Sequence, residues 1–229
     1  MSIFKDFYSI FFPKSCLICQ SHLKLQENLI CLNCEHHLPF TDFTEFENNS
    51  FEMSLRGRIP IHEATSLLYF RKNGITQKLI HQLKYQGFQE IGTFFGQLLG
   101  DKILISNRFK TIDGIILVPL HPKKLKKRGY NQLTLFADEL AKKLNVPIFE
   151  HVLVKIDQTI SQTTKTRWNR FDKLYEKFHG ENLNSIEGKH ILLIDDVFTT
   201  GATLESCANE ILKAKNAKIS LATMAFPGF

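Results

Sequence analysis

The stretch that most constrains the fold of this chain runs from Ile191 to Thr203 and reads ILLIDDVFTTGAT. Its continuous apolar run, Ile191–Ile194, is bounded by polar residues, which is typical of a strand in a parallel sheet that is covered on both faces. Apolar residues recur at helical spacing after the Thr/Gly turn, so we expect a helix to begin near Ala202 or Thr203. The stretch therefore predicts a buried strand, a short turn and the N-terminus of a helix.

This turn is suited to binding a phosphorylated pentose. The backbone N–H groups at a helix N-terminus lack intrahelical partners and attract anions, and Gly201 lets the backbone come close to one. Hydroxyl groups can donate further hydrogen bonds from Thr199, Thr200 and Thr203. The carboxylates of Asp195 and Asp196 could accept hydrogen bonds from the two hydroxyls of a ribose. A nucleotide P-loop is excluded, because the sequence contains no G-x-x-x-x-G-K-[ST] motif.

Strands and helices alternate along the rest of the chain. Apolar runs predict strands at Ala64–Phe70, Gly114–Val118, His151–Ile156, Gly188–Ile194 and Ile219–Ala225. Apolar residues at helical spacing predict helices at 75–86, Glu90–Ser106 and 132–144, the last capped by Asn131. This alternation predicts an α/β fold with a parallel sheet and helices on both faces. Ligands bind at the carboxyl ends of such strands, so we expect Pro119–Gln132 and Asp195–Thr203 to meet there.

Four of the five cysteines form two closely spaced pairs, Cys16-x-x-Cys19 and Cys31-x-x-Cys34, separated by eleven residues. Two such pairs can place four thiolates around one tetrahedral metal centre, for which Zn²⁺ is the usual ion. The separation is shorter than in most zinc ribbons, and redox chemistry or buried structural thiols are the alternatives. We expect residues 1–40 to form a lead-in helix and a small module whose folding depends on structural Zn²⁺.

The polar and acidic segment Thr41–Glu52 has no firm period, which predicts a linker over residues 41–60 before a second domain over 61–229. No segment of the sequence reaches the length of a membrane span, and the apolar N-terminus is interrupted by Lys5 and Asp6. We therefore expect no transmembrane segment and a cytoplasmic location, with contact of the N-terminus with the inner face of the membrane as the alternative.

Positive charge is concentrated directly after the strand Gly114–Val118. The chain carries a net charge of +6, which suits a phosphate-rich ligand or nucleic acid without establishing either. Five cations lie within six residues, namely Lys123, Lys124, Lys126, Lys127 and Arg128. Next to a pentose site they would stabilise the charge of a departing diphosphate, while Mg²⁺ would be held mainly by substrate oxygens and water. The alternative is a solvated surface, because not all five can face one ligand.

Two resemblances follow from these motifs. ILLIDDVFTTGAT resembles the phosphoribosyl pyrophosphate (PRPP) motif of type I phosphoribosyltransferases. The order of the cysteine pairs, Lys84-Tyr-x-Gly87, the VPLHP and RGYNQ motifs within Val118–Gln132, and the PRPP motif resembles ComF-family competence proteins over nearly the full length. This resemblance implies a type I phosphoribosyltransferase-like parallel sheet with flanking helices behind a zinc-binding module. It also implies a role in natural transformation, in which single-stranded DNA enters the cytoplasm.

The ComF resemblance assigns residues position by position, although it names no catalytic residue. It implies that the ribose is bound by Asp195 and Asp196. It implies that the 5-phosphate is bound by Thr199, Thr200, Gly201, Ala202 and Thr203. It implies a pyrophosphate loop that contains Pro119, Leu120, His121, Lys123, Lys124 and Arg128. Further signature positions are Lys84, Tyr85, Tyr130, Asn131 and Gln132. The metal ligands would be Cys16, Cys19, Cys31 and Cys34.

Two functions of different class remain open at this stage. The first is a DNA-handling factor that binds PRPP, with single-stranded DNA and a helicase or channel component of the uptake machinery as partners. The second is an active transferase that moves phosphoribosyl from PRPP with Mg²⁺ to a nitrogen nucleophile and releases pyrophosphate. The sequence indicates no acceptor pocket for the second. For the first, basic residues alternate with aromatic residues that could stack on bases, as at Lys84 and Tyr85.

Overall fold

A computed structural model of the chain describes residues 14–156 and 178–228. The segment Asp157–Leu174 is polar and has no clean period, which predicts a mobile loop. This segment and the lead-in helix predicted over 1–13 lie outside the described residues. In the described part of the chain, no helix is both long enough and apolar enough to cross a membrane.

The core of the fold is a parallel four-stranded sheet, as the sequence predicts. Its strands are β1 (Ala64–Phe70), β2 (Gly114–Leu117), β5 (His190–Val197) and β6 (Lys218–Pro227), in the order β1-β6-β5-β2. Each neighbouring pair runs parallel. Nearly every residue of β5 and β6 is buried. Because successive side chains of a strand point to opposite faces, this burial means that both faces of the sheet are covered.

Helices flank this sheet. They are α3 (Ile75–Tyr85), α4 (Glu90–Ile105), α6 (Thr134–Leu144) and α7 (Ala202–Ile211). The helix α4 packs so closely against α6 that a Cβ atom at Gly96 would lie only 2.8 Å from the carbonyl oxygen of Phe136. The start of α7 at Ala202 agrees with the prediction. Asn131 does not cap α6 directly; its side chain accepts a hydrogen bond from the backbone N–H of Leu133, in the turn before the helix.

The strand predicted at His151–Ile156 needs correction. Only three residues form the strand β3 (Leu153–Lys155), and it pairs antiparallel with β4 (Phe178–Gly180) in a separate two-stranded sheet. The strand β4 is too short and too polar around His179 to give a sequence signal of its own. A three-residue strand gains few hydrogen bonds, and this small sheet instead packs against α7, where Glu210 accepts a hydrogen bond from the backbone N–H of Gly180.

Residues 41–60, the predicted linker, contribute to the core. They contain the helix α2 (Ser50–Leu55), which follows α1 (Leu32–His36) in the chain and is capped by the side chain of Asn49. Phe51 is fully buried, and its ring lies 4.7 Å from that of Phe198 and 5.4 Å from that of Phe226, between centroids. Leu55 is fully buried as well. The domain boundaries near residues 40 and 60 stay predictions.

The basic segment predicted as a loop contains a helix, α5 (Pro122–Arg128). Pro122 occupies the first turn, where its missing N–H costs nothing, and His121 caps the helix by accepting a hydrogen bond from the backbone N–H of Lys123. Gly129 ends it in the left-handed conformation at φ +83°. The position directly after a strand predicts a loop, but a proline start, a glycine stop and lysines with good helix propensity favour this helix.

Candidate functional site

A cavity of about 590 Å³ lies at the carboxyl ends of β2 and β5. The predicted meeting of the two motif segments is observed, because Pro119 and Leu120 line it from one side and Asp195 and Asp196 from the other. The end of α3 completes the rim with Lys84 and Tyr85. Its other lining residues are Gly87, Val118, Lys124, Lys127, Arg128, Tyr130, Gln132, Lys155, Val197 and Thr203.

Asp196 is the centre of a hydrogen-bond network on the cavity floor. Its Oδ1 accepts a hydrogen bond from the Nζ of Lys84 at 2.7 Å, and its Oδ2 accepts one from the Nε2 of Gln132. The carboxylate is largely buried, with 10% of the side chain exposed. A buried carboxylate needs such charge-assisted partners. Since a carboxylate has about four lone-pair positions, two remain for a ligand hydroxyl.

The two acids differ in their surroundings. Asp195 is half-buried, and its Oδ1 accepts a hydrogen bond from the backbone N–H of Asp196 at 2.8 Å. Asp196 is held by a lysine and a glutamine, whereas Asp195 presents its carboxylate to the cavity from the same strand. The acid pair therefore combines one anchored carboxylate with one that is more accessible from the cavity.

The turn between β5 and α7 holds the predicted phosphate residues. Thr199, Thr200 and Gly201 form the turn, Ala202 is the first residue of α7, and Thr203 lines the cavity. Gly201 has φ +79°, and a Cβ atom there would lie 2.8 Å from the Phe198 ring and 2.9 Å from Leu55. Only glycine satisfies both the backbone angle and this close packing. The side chains of Phe198 and Leu55, which pack below the turn, thus determine where the backbone N–H groups of the turn lie.

Arg58, which lies outside the motif, stabilises this turn. Its guanidinium donates a hydrogen bond to the carbonyl oxygen of Thr200 at 2.8 Å and forms an ion pair with Glu205 on α7. Sequence reasoning missed Arg58 because it lies in a segment without periodic signal and acts on residues far along the chain. Lys155 lines the cavity from β3 and was also missed, because its place at the cavity depends on contacts between distant parts of the chain.

The basic helix α5 places part of its charge on the cavity. Lys124, Lys127 and Arg128 lie three and four positions apart and share one helical face, which lines the cavity. Lys123 and Lys126 are not among the lining residues. Arg128 donates a hydrogen bond to the Oε1 of Gln132, and Tyr130 donates one to the carbonyl oxygen of Leu83. The structure thus divides the five predicted cations into three on the cavity and two elsewhere.

The four cysteines predicted as metal ligands form one cluster. The sulfur atoms of Cys16, Cys19, Cys31 and Cys34 all lie within 4.8 Å of one another. A tetrahedral site with Zn–S bonds of about 2.3 Å requires S···S distances of about 3.8 Å, and Cys19 and Cys31 are 3.7 Å apart. The cluster could therefore hold a metal such as zinc.

Without a bound cation, the thiols of this cluster differ strongly in pKa. Hydrogen bonds from Ser21 lower the pKa of Cys19 to about 6, whereas burial and the neighbouring sulfurs raise the pKa of Cys34 far above its usual value. Thiolates this close repel one another unless a cation neutralises them. A metal ion would remove this conflict. The cysteine-containing segment also contacts α3, whose end lines the cavity. The side chain of Gln82 on α3 donates a hydrogen bond to the carbonyl oxygen of Leu17 at 3.1 Å.

Comparison with known proteins agrees with this architecture. Residues 134–228 match the model of the phosphoribosyl transferase domain family. The DNA utilization protein YhgH of Salmonella typhi is 30% identical over 138 residues, which are 59% of this chain and about 60% of that protein's length. Competence protein F of Haemophilus influenzae is 25% identical over 89% of this chain and 91% of its own. Competence protein ComFC of Bacillus subtilis is 26% identical over 92% of this chain and 83% of its own.

The family match covers α6 to β6, including the acid pair and the turn to α7. The two competence proteins also align with the N-terminal part, because their matches cover about nine-tenths of this chain. Together with the four-cysteine cluster and the parallel sheet, these matches make the chain similar to the competence proteins of the ComF family and support a phosphoribosyltransferase-like fold.

Proposed function

We propose that this protein assists the uptake and handling of single-stranded DNA in natural transformation, in the cytoplasm, through a cavity that binds PRPP. The observation that carries the proposal is the pair Asp195 and Asp196 at the end of β5, beside the turn to α7 and facing a cation-lined cavity. The names of the relatives, which refer to competence and DNA utilization, support the biological part of it.

The chemistry of the cavity suits each part of PRPP. The ribose hydroxyls would donate to Asp195 and to the remaining lone pairs of Asp196. The 5-phosphate would accept hydrogen bonds from the backbone and hydroxyls of 199–203 at the start of α7. The diphosphate would lie near Lys124, Lys127 and Arg128, with Mg²⁺ held by its oxygens and water. A volume of about 590 Å³ suits a ligand of this size.

A second candidate is phosphoribosyl transfer itself. The cations of α5 share the cavity with the acid pair, so they could stabilise the negative charge on pyrophosphate as its bond to carbon one breaks and a nitrogen nucleophile attacks. Release of pyrophosphate in the presence of a nitrogen nucleophile would support this candidate.

The test of PRPP binding is a calorimetric titration with Mg²⁺. We expect wild-type protein to bind PRPP and the double variant Asp195→Asn, Asp196→Asn to lose measurable binding. Asp101→Asn is the matched control, because Asp101 is an exposed acid paired with Lys143 and is not part of the cavity. Unchanged affinity in the double variant would locate the PRPP site elsewhere.

The test of DNA binding is fluorescence anisotropy with a labelled single-stranded oligonucleotide over a range of salt concentrations. If the cations of α5 contact phosphates, the logarithm of affinity falls linearly with the logarithm of salt concentration, with a slope of about −0.7 per phosphate neutralised. Replacing Lys124 and Lys127 by Gln should reduce that slope by about 1.4. Lys123→Gln combined with Lys126→Gln, which removes the same charge away from the cavity, should change it less. Binding that is independent of salt would remove α5 from the proposal.

A further inference from the structure

We propose that Tyr85 is a stacking platform for a base of single-stranded DNA, at the rim of the cavity, with the flanking phosphates on the basic face of α5. This inference rests on the proposed DNA-handling function and names the residue that would contact the bases. Tyr85 is the last residue of α3, and it lines the cavity although 68% of it is exposed to solvent.

Neighbouring side chains hold the Tyr85 ring in place. The guanidinium carbon of Arg128 lies 5.5 Å from the centre of the ring, in a cation–π contact. The ring of His81, one turn earlier on α3, lies 5.0 Å away between centroids at an angle of 47°. An exposed aromatic ring that is already held in one position loses little conformational entropy when a base stacks on it.

The platform is connected to the cavity floor by two routes. Arg128 donates to Gln132, which donates to Asp196, so the carboxylate fixes the amide and the amide fixes the guanidinium. Lys84, the neighbour of Tyr85 in sequence, forms an ion pair with the same carboxylate at 2.7 Å. A ligand on Tyr85 is therefore adjacent to the acid pair rather than on a separate surface.

The charge around the ring suits a polyanion. Five cations line the cavity, against two carboxylates. Three of the cations, Lys124, Lys127 and Arg128, lie on the helical face that is directed to the cavity, and Arg128 itself contacts the ring. Alternation of cations with an exposed aromatic ring is how proteins bind single strands without reading their sequence.

The geometry favours a single strand over a duplex. In a duplex both faces of each base are covered by neighbouring bases, whereas a single strand can turn a base onto a side chain. A cavity of about 590 Å³ has room for a nucleotide but not for a double helix. The phosphates of the same strand would extend along α5.

The test compares an oligothymidylate with an abasic oligonucleotide of the same length, using fluorescence anisotropy on the full-length protein. We expect wild-type protein to bind the base-containing strand more tightly. Tyr85→Leu should reduce that preference by about 5- to 150-fold, the range that corresponds to loss of base–aromatic stacking. Tyr85→Phe should keep most of it, because the ring remains. Phe46→Leu, at an aromatic residue that is 61% exposed and outside the cavity, is the matched control and should bind like wild type.

The outcomes separate the platform from the function on which it rests. If Tyr85→Leu keeps the full preference for bases while its thermal unfolding matches wild type, the platform is refuted and the DNA-handling function stands. If wild-type protein binds both strands equally, the same conclusion follows. If wild-type protein binds neither strand, or binds free thymidine nucleotides in preference to the oligonucleotide, both the platform and the DNA part of the proposed function fall.

Discussion

Replacing Phe51 by Ala is the sharpest test of how the segment 41–60 supports the cavity. The side chain is fully buried, and its ring contacts the rings of Phe198, just before the turn to α7, and Phe226 on β6. Removal of a fully buried phenyl ring costs about 3–5 kcal/mol. A domain of ordinary stability has about 5–15 kcal/mol, so the variant should lose a large share of its free energy of unfolding.

The assay is urea unfolding followed by circular dichroism, with thermal unfolding as a second measurement. A loss of about 3–5 kcal/mol corresponds to a decrease in Tm of roughly 6–20 °C for a chain of this size. Phe46→Ala is the matched control, because Phe46 lies in the same segment with 61% exposure and should change stability by no more than about 0.5 kcal/mol. Equal stability of the two variants would contradict the burial of Phe51.

Three further predictions concern the turn, the buried histidine and the metal. Gly201→Ala should weaken PRPP binding more than tenfold in a calorimetric titration, because its Cβ would clash with Phe198. Gly188→Ala is the control, because Gly188 also has a positive φ of +69° but has open space around it, and it should leave PRPP binding unchanged. Burial and nearby cationic groups lower the pKa of His190 to about 4, so the unfolded state takes up the proton first. The free energy of unfolding should therefore fall by roughly 3 kcal/mol at most as pH decreases from about 6.5 to about 4, and His190→Gln should remove that slope in urea unfolding. Metal analysis should find about one zinc ion per chain. The Cys34→Ser variant should lose this ion and the Cys207→Ser variant should retain it. Chelation should loosen the four-cysteine module without abolishing PRPP binding.

The central sheet could be predicted because its strands carry local signals. Four consecutive apolar residues at Ile191–Ile194 indicate a buried parallel strand, and the following acid pair and Thr/Gly turn identify the ligand end of it. The spacing of the cysteine pairs likewise predicts one metal site, and the structure brings the four sulfur atoms together. These features depend on residues that are close in sequence.

The parts that could not be predicted depend on contacts between distant residues. Nothing local indicates that Lys84 pairs with Asp196, 112 positions away, or that Arg58 binds the Thr200 carbonyl group. Phe51 lies in a polar segment as an isolated aromatic residue without helical or strand periodicity. The helix α5 was missed because the segment directly follows a strand and was interpreted as a loop, without weight given to its proline start and glycine stop.

The most direct measurement of the central claim is a calorimetric titration of PRPP with Mg²⁺, performed on the free protein and on protein saturated with a single-stranded oligonucleotide. We predict one PRPP per chain on the free protein, because Asp195, Asp196 and Thr203 line one cavity. We predict weaker binding with the oligonucleotide present, because Tyr85 and the basic face of α5 line that same cavity. Absence of PRPP binding to the free protein would contradict the account.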